Sequence, residues 1–256
     1  MTDQIIKELH NLEQKHDIKV LYAVESGSRA WGFESTDSDW DIRYIYIHRL
    51  DWYLKIDEKK DSQEEILPND IDLAGWELKK ALRLFRKSNP PMLEWLRSPI
   101  VYLEKFSTAS KLRELSNQFF NPKSCIHHYL HMAERNYQTY LLKEKVRTKK
   151  YFYVLRPMLA CDWIKEKNTM APMEFQTLLE SQLKDERVKK EIENLLIRKI
   201  AGDEMKEELQ NKILNDFLEE KINFYNEYVN STPKTNQPET RLLDELFKET
   251  IDEAWE

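Results

Sequence analysis

The chain has 256 residues, 41% apolar and 34% charged, enough to bury a core for about one or two domains. A mean hydropathy of −0.73 and the lack of any apolar run near the roughly 18 residues that spanning requires exclude a membrane-crossing helix. Two cysteines, Cys125 and Cys161, are too few for a disulfide framework or a four-cysteine zinc site, and a net charge of −6 argues against a nonspecific nucleic-acid coat while leaving a local basic groove open. Met1-Thr2-Asp3 leads directly into a charged amphipathic stretch rather than a cleavable secretory signal, so the expectation is a reduced, cytoplasmic protein with no membrane partner. Three of the four glycines (Gly27, Gly32, Gly75) fall in the first third, so special backbone geometry is expected there and helix elsewhere.

Residues 3–16 carry Ile5, Ile6, Leu9 and Leu12 at helical spacing, ending near Asp17. Residues 20–24 read as a buried strand that Gly27-Ser28 terminates, and residues 29–38 as a loop or short helix. Residues 41–47 alternate with β-branched and aromatic content and read as a second strand paired with the first. The stretch 57–70 is polar and turn-like with room for a short hairpin, and 71–76 reads as a third strand. A helix with Leu78, Leu82 and Phe85 on one face stops before Asn89-Pro90-Pro91, because proline disfavours helical geometry in the residue before it. A short helix at 92–96 and an extended piece at 100–103 follow. Helices are then expected at about 108–118, 122–145, 149–167 (with Pro157 as a kink or restart), 172–181, 185–200, 205–229 and 238–253, with a loop over 231–238. The chain therefore divides into a small α/β unit, 1–105, and an all-helical unit, 106–256.

The chemistry is concentrated in Glu25-Ser26-Gly27-Ser28-Arg29-Ala30-Trp31-Gly32-Phe33, followed by Ser38-Asp39-Trp40-Asp41. Residues two apart on a strand share a face, so Asp39 and Asp41 can project together, and Asp72 on the next strand adds a third carboxylate. Three converging carboxylates repel unless cations lie between them, and hard oxygen donors suit Mg²⁺ or Mn²⁺. Two such ions can clamp the attacking and leaving oxygens of a phosphoryl displacement. Gly27 lets backbone N–H groups approach a phosphate, and Ser28 adds a hydroxyl.

These residues resemble the polymerase-beta-type nucleotidyltransferase superfamily, whose signature is Gly-Ser, an Asp-x-Asp pair and a third Asp on a following strand. The longer Gly-Ser-Arg-Ala-Trp-Gly-Phe form is similar to the RlaP-like nucleotidyltransferases, which are associated with RNA repair. Asp72 to Leu82, Ser88-Asn89-Pro90, Glu94 to Pro99 and Lys149 to Pro157 extend the likeness over about residues 20–165. The resemblance implies an α+β fold, a small mixed-sheet nucleotidyltransferase domain followed by an all-helical domain. It implies that Gly27 and Ser28 hold the β- and γ-phosphates of a nucleoside triphosphate and that Asp39, Asp41 and Asp72 bind the metal. Asp72, which has Asp70 as a rival two residues away, would also help deprotonate the acceptor hydroxyl. The implied reaction moves a nucleoside monophosphate to an acceptor hydroxyl, an RNA end by family association, and releases pyrophosphate.

Arg29 is the better phosphate ligand of the two flanking arginines, and Arg43 reads as the partner of a local carboxylate. Trp31, Phe33 and Trp40 read as core rather than as base-stacking groups. Lys143, Lys145, Arg147, Lys149, Lys150 and Arg156 form the strongest basic run. It is either a solvated helix junction or a clamp on triphosphate or nucleic-acid backbone, with Lys149, Lys150 and Arg156 as the candidate contacts. His127, His128 and His131 lack a third ligand and a Glu base, so they read as a surface or phosphate-facing cluster rather than a zinc site. Two other readings compete: the same transfer to a small molecule or protein, as in antibiotic-modifying or antitoxin-type relatives, and a noncatalytic nucleotide-binding module. The nucleotide used and the oligomeric state are left open.

Overall fold

The computed structural model describes residues 1–57, 59–202, 206–232 and 238–256. Helix α1 (Thr2–His16) buries Ile5, Leu9 and Leu12, one stripe of a 3.6-residue period, and ends at Asp17 in left-handed geometry. Strand β1 (Ile18–Glu25), the five-residue helix α2 (Gly27–Trp31) and strand β2 (Trp40–His48) follow. The short helix α3 (Leu50–Tyr53) leads to β3 (Ser62–Leu67) and β4 (Ile71–Glu77). The polar 57–70 stretch thus contains a strand, paired antiparallel with β4 through a turn in which Asn69 and Asp70 take positive φ, a conformation these two residue types tolerate. Then come α4 (Leu78–Arg86), α5 (Pro90–Trp95), β5 (Val101–Glu104) and α6 (Thr108–Phe119). Asn89 caps α5 from its side chain with Pro90 in the first turn, which is why Asn-Pro-Pro starts a helix as well as ending the previous one.

The five strands form a mixed sheet in the order β3-β4-β2-β1-β5. Only β2 and β4 run parallel, and they pair in the register Asp41↔Asp72. α1 joins Ile18, Val20, Ala23, Ile42, Tyr44, Tyr46, Ile71 and Leu73 in one hydrophobic core. Gly75 lies opposite Tyr44, and a Cβ there would sit 2.3 Å from the tyrosine ring, so glycine makes room for that ring. The fold is α+β.

The second part of the chain comprises α7 (Pro122–Asn136), a π-helical turn (Tyr137–Leu141), β6 (Lys145–Arg147) and α8 (Thr148–Lys167). It continues with α9 (Phe175–Gln182), α10 (Glu186–Ile200), β7 (Glu207–Leu209) and α11 (Lys212–Ser231). The expected helix 122–145 stops at the π turn and the expected helix 205–229 begins only at Lys212, because residues 145–147 and 207–209 pair as a two-stranded ribbon. Such long-range pairing leaves no mark on local periodicity. Asn211 caps α11, accepting from Leu214 N–H at 3.2 Å. α8 runs through Pro157, and Asn136 Nδ2 lies 3.5 Å from the Tyr153 carbonyl that a proline at 157 cannot reach. The expected loop over 231–238 falls largely on residues 233–237, outside the described residues. Among the described residues no helix is long and apolar enough to cross a membrane.

Contacts separate two compact units. The first takes residues 1–30, 39–119 and the C-terminal segment with α12 (Arg241–Trp255); the second takes 31–38 and the described residues between 120 and 232. The 105/106 division expected from the sequence falls inside the first unit. α6 stays with the sheet because its Thr108 hydroxyl meets Thr250 of α12 at 3.1 Å and Ser107 bonds Glu253. Residues 31–38 join the helices through Phe33, packed on Phe152 and Phe175, and through Ser38, which accepts from Lys199 Nζ at 3.2 Å.

Candidate active site

The site is built on three strand ends. At the end of β1, Ser26 N–H donates to the Asp41 carbonyl at 2.8 Å, and Gly27 turns the chain at φ +61 into α2. A Cβ on residue 27 would lie 2.1 Å from Asp41 Oδ2, so glycine alone lets that carboxylate close against this backbone. Ser28, half-buried, follows in α2. Asp72 is directly across from Asp41 on the parallel strand.

Arg43 ties the two carboxylates together. Its Nη2 lies 2.9 Å from both Asp41 Oδ1 and Asp72 Oδ2, and Nη1 donates to the carbonyls of Asp72 and Ile42 at 3.1 Å. One guanidinium thus bridges two carboxylates held side by side and offsets one of their two charges, and its planar array of donors suits that task better than an ammonium would. Burial pushes the Asp41 carboxyl up from its ordinary range, Arg43 pulls it down, and the neighbouring charges of Asp72 and Asp39 push it up again. Asp39 precedes β2 and is exposed, its carbonyl accepting from Arg29 Nε at 3.2 Å. The Arg29 guanidinium lies 3.7 Å from the centroid of Trp40. Asp70 sits in the β3–β4 turn, and its carbonyl accepts from Trp40 N–H at 2.7 Å. Asp72, not Asp70, is the residue in register with Asp41.

Behind these groups lies Glu25, fully buried and absent from the sequence-derived set. Its Oε1 accepts the Asp41 N–H at 2.8 Å, its Oε2 accepts the Tyr102 hydroxyl, and its carbonyl accepts from Ser98 Oγ at 2.6 Å. Burial raises the Glu25 carboxyl, opposed by the Tyr102 and Asp41 donors. A carboxylate directly after the apolar run 20–24 was the available signal, since such a group persists in a core only when its oxygens are bonded.

By type, the hard oxygen donors Asp41, Asp72 and Asp39 fit a divalent cation, and the Asp41–Asp72 pair already shares one cationic group, Arg43. As placed, no three acidic, histidine or cysteine side chains among the described residues stand close enough to hold a metal. A cavity of about 450 Å³ lined by Lys15, Tyr44, His48, Trp52 and Glu65 shares no lining residue with this cluster.

The basic run belongs to the helical unit. Lys143, Lys145, Arg147 and Lys150 line a cavity of about 230 Å³ with Tyr140 and Glu207. Lys150 lies 4.0 Å above the Tyr140 ring and 4.9 Å from Tyr153, Arg147 pairs Glu207 at 3.4 Å, and Lys149 is half-buried. Arg156 is placed differently: it is enclosed, its guanidinium 4.8 Å from the Trp31 ring and 3.4 Å from the Met173 carbonyl, so it ties Trp31 to α8 instead of facing an open groove.

A family model described as the RNA repair pathway DNA polymerase beta family, RlaP, matches residues 1–249. This chain belongs to the RlaP family. It is thereby a polymerase-beta-type nucleotidyltransferase by family. A Bacillus subtilis (strain 168) protein described only as uncharacterized protein YcgL is 44% identical over 255 residues, covering 100% of this chain and 98% of that one. The crystal structure of a nucleotidyltransferase-like protein from Exiguobacterium sibiricum 255-15 is similar with a TM-score of 0.33 and 10% identity, over 90% of this chain and 75% of that one, a likeness too remote to bear on the site.

Proposed function

We propose that this RlaP-family chain transfers a nucleoside monophosphate from a nucleoside triphosphate to a hydroxyl at an RNA end. The observation that carries the reading is the Asp41–Asp72 pair, in register on parallel strands, with Gly27 leaving space for the Asp41 carboxylate at the Gly-Ser turn. The acceptor oxygen would attack the α-phosphorus, the bond to the β-phosphate oxygen would break, and pyrophosphate would leave.

The residues divide the work as follows. Gly27 and Ser28 would hold the β- and γ-phosphates through backbone N–H and hydroxyl, and Arg29 would balance their charge. Asp41, Asp72 and Asp39 would hold Mg²⁺ or Mn²⁺, which when bound neutralises phosphate charge and polarises the reacting oxygens. Asp72 would accept the acceptor proton, while Arg43 orients the two carboxylates and Glu25 fixes the backbone of Asp41. Lys143, Lys145, Lys149 and Lys150 would meet the phosphodiester backbone of the acceptor, a local basic surface on a chain of net charge −6.

The test is incubation of the purified chain with Mg²⁺, each of the four α-labelled ribonucleotides and an RNA oligonucleotide. Label on the RNA with matching pyrophosphate release is expected. Label on the protein itself or on a small molecule from cell extract would replace the RNA acceptor, and nucleotide binding without turnover would replace the enzyme with a binding module.

A further inference from the structure

His127 and His131 stand four residues apart on α7, the spacing that stacks two side chains on one helix face. Both are exposed, and their Nε2 atoms lie 3.0 Å apart with the rings nearly perpendicular, at 88°. Two nitrogens bound to one Zn²⁺ at about 2.0–2.1 Å are about 2.9 Å apart at a right angle and about 3.4 Å apart at the tetrahedral angle. The pair is therefore already at chelating distance.

The surroundings of His131 favour the tautomer that chelation requires of it. His131 Nδ1 lies 3.3 Å from Glu134 Oε2, and the other Glu134 oxygen accepts from Asn226 Nδ2 on α11. A carboxylate at this distance favours the proton on His131 Nδ1, the support that metal-ligating histidines use, and makes His131 Nε2 the acceptor in its 3.0 Å contact with His127. His127 then donates its Nε2–H in that contact, and metal binding moves this proton to His127 Nδ1, which frees the second lone pair. The lack of a Glu base and of a third ligand argues against a closed or hydrolytic zinc site, but a two-histidine clamp needs neither, and water completes its coordination.

We propose that His127 and His131 form a bidentate surface site for a late divalent transition-metal cation, of the zinc, nickel and copper class, with Glu134 and Asn226 as positioning residues. Imidazole nitrogen favours these ions over Mg²⁺, so the site is chemically separate from the carboxylates of the sheet unit.

The test is calorimetric titration of the full chain with Zn²⁺ and with Ni²⁺, in saturating Mg²⁺ and on an Asp41→Asn/Asp72→Asn background that removes the sheet carboxylates. One equivalent is expected to bind. His127→Ala and His131→Ala should each weaken it at least about 30-fold, and Glu134→Gln about 10-fold, the scale of a lost outer partner. Electron paramagnetic resonance with Cu²⁺ should read two coordinated nitrogens in the parent and in Glu134→Gln, and one in each single histidine variant. Glu134→Gln should leave the metal-free melting temperature unchanged, which separates positioning from a folding role. Equal Zn²⁺ affinity in the parent and the His127→Ala/His131→Ala variant, or no binding in the parent, would overturn the proposal. The readout is metal affinity, so either result leaves the nucleotidyl-transfer reading to its own assay.

Discussion

In the sheet unit, Asp41 and Asp72 are short side chains on paired strands, and Arg43, Glu25 and the Gly27 backbone set their positions to within a hydrogen bond. In the helical unit, Lys143, Lys145 and Lys150 are long arms around a small cavity, and Lys143 and Lys150 lie over the Tyr140 ring face. The first arrangement is suited to placing charge at one atom, the second to tracking a flexible polyanion. Substitutions should therefore act in a nearly all-or-none way in the first region and in a graded, salt-dependent way in the second.

The sharpest test of that contrast is Asp41→Asn. It keeps the side-chain shape, removes the charge that Arg43 pairs, and should cut pyrophosphate release by at least about 10²-fold while circular dichroism stays unchanged. Undiminished release would remove Asp41 from the chemistry. Gly27→Ala comes next. It sets a Cβ against Asp41 Oδ2 at a positive φ, so it should lower both turnover and stability, the latter by about 1–3 kcal/mol in urea unfolding.

Acid provides a third test, within the sheet unit. Burial pulls His48, stacked on Trp52 at 4.1 Å, down to about 4. The folded state therefore binds fewer protons than the unfolded state between that value and the ordinary 6.5. The stability from neutral His48 is complete above about 6.5 and is lost as the pH falls toward 4. His48→Gln should flatten the stability curve over that window, as urea unfolding at stepped pH will show. The smallest effects belong to the basic pocket. If RNA is the acceptor as proposed, Lys145→Gln and Lys150→Gln should each weaken its binding modestly and reduce the slope of log affinity against log salt by about 0.7 for each phosphate that is no longer neutralised. A wholesale loss of binding from either substitution would mean that the pocket, too, is a fixed-geometry site.

How much of this was legible beforehand differs by element. The helix stripe Ile5-Leu9-Leu12 and the strands around 20–24 and 41–47 are local patterns, and they appear where the periodicity puts them, whereas the helix expected at 92–96 starts two residues earlier, at Pro90, under the Asn89 cap. β3 was partly hidden because a half-exposed edge strand of Ser, Gln and Glu resembles a loop. The β6–β7 ribbon was hidden altogether, since its strands lie about sixty residues apart and are three residues each. Among the candidate site residues, Gly27, Ser28, Asp39, Asp41 and Asp72 were singled out by residue type and spacing. Glu25 did not, because its role depends on Tyr102 and Ser98, which are distant in the chain.

The amino-acid order by itself determined most of the helices and the central strands, the Gly-Ser turn and the acidic residues beside it, because propensity, turn geometry and two-residue alternation are short-range properties. Only the tertiary structure decided that Asp72 rather than Asp70 faces Asp41, that Arg43 spans them both, and that Arg156 is a buried tether rather than an open clamp. Strand register and burial are set by contacts between residues tens of positions apart, and no local pattern encodes them.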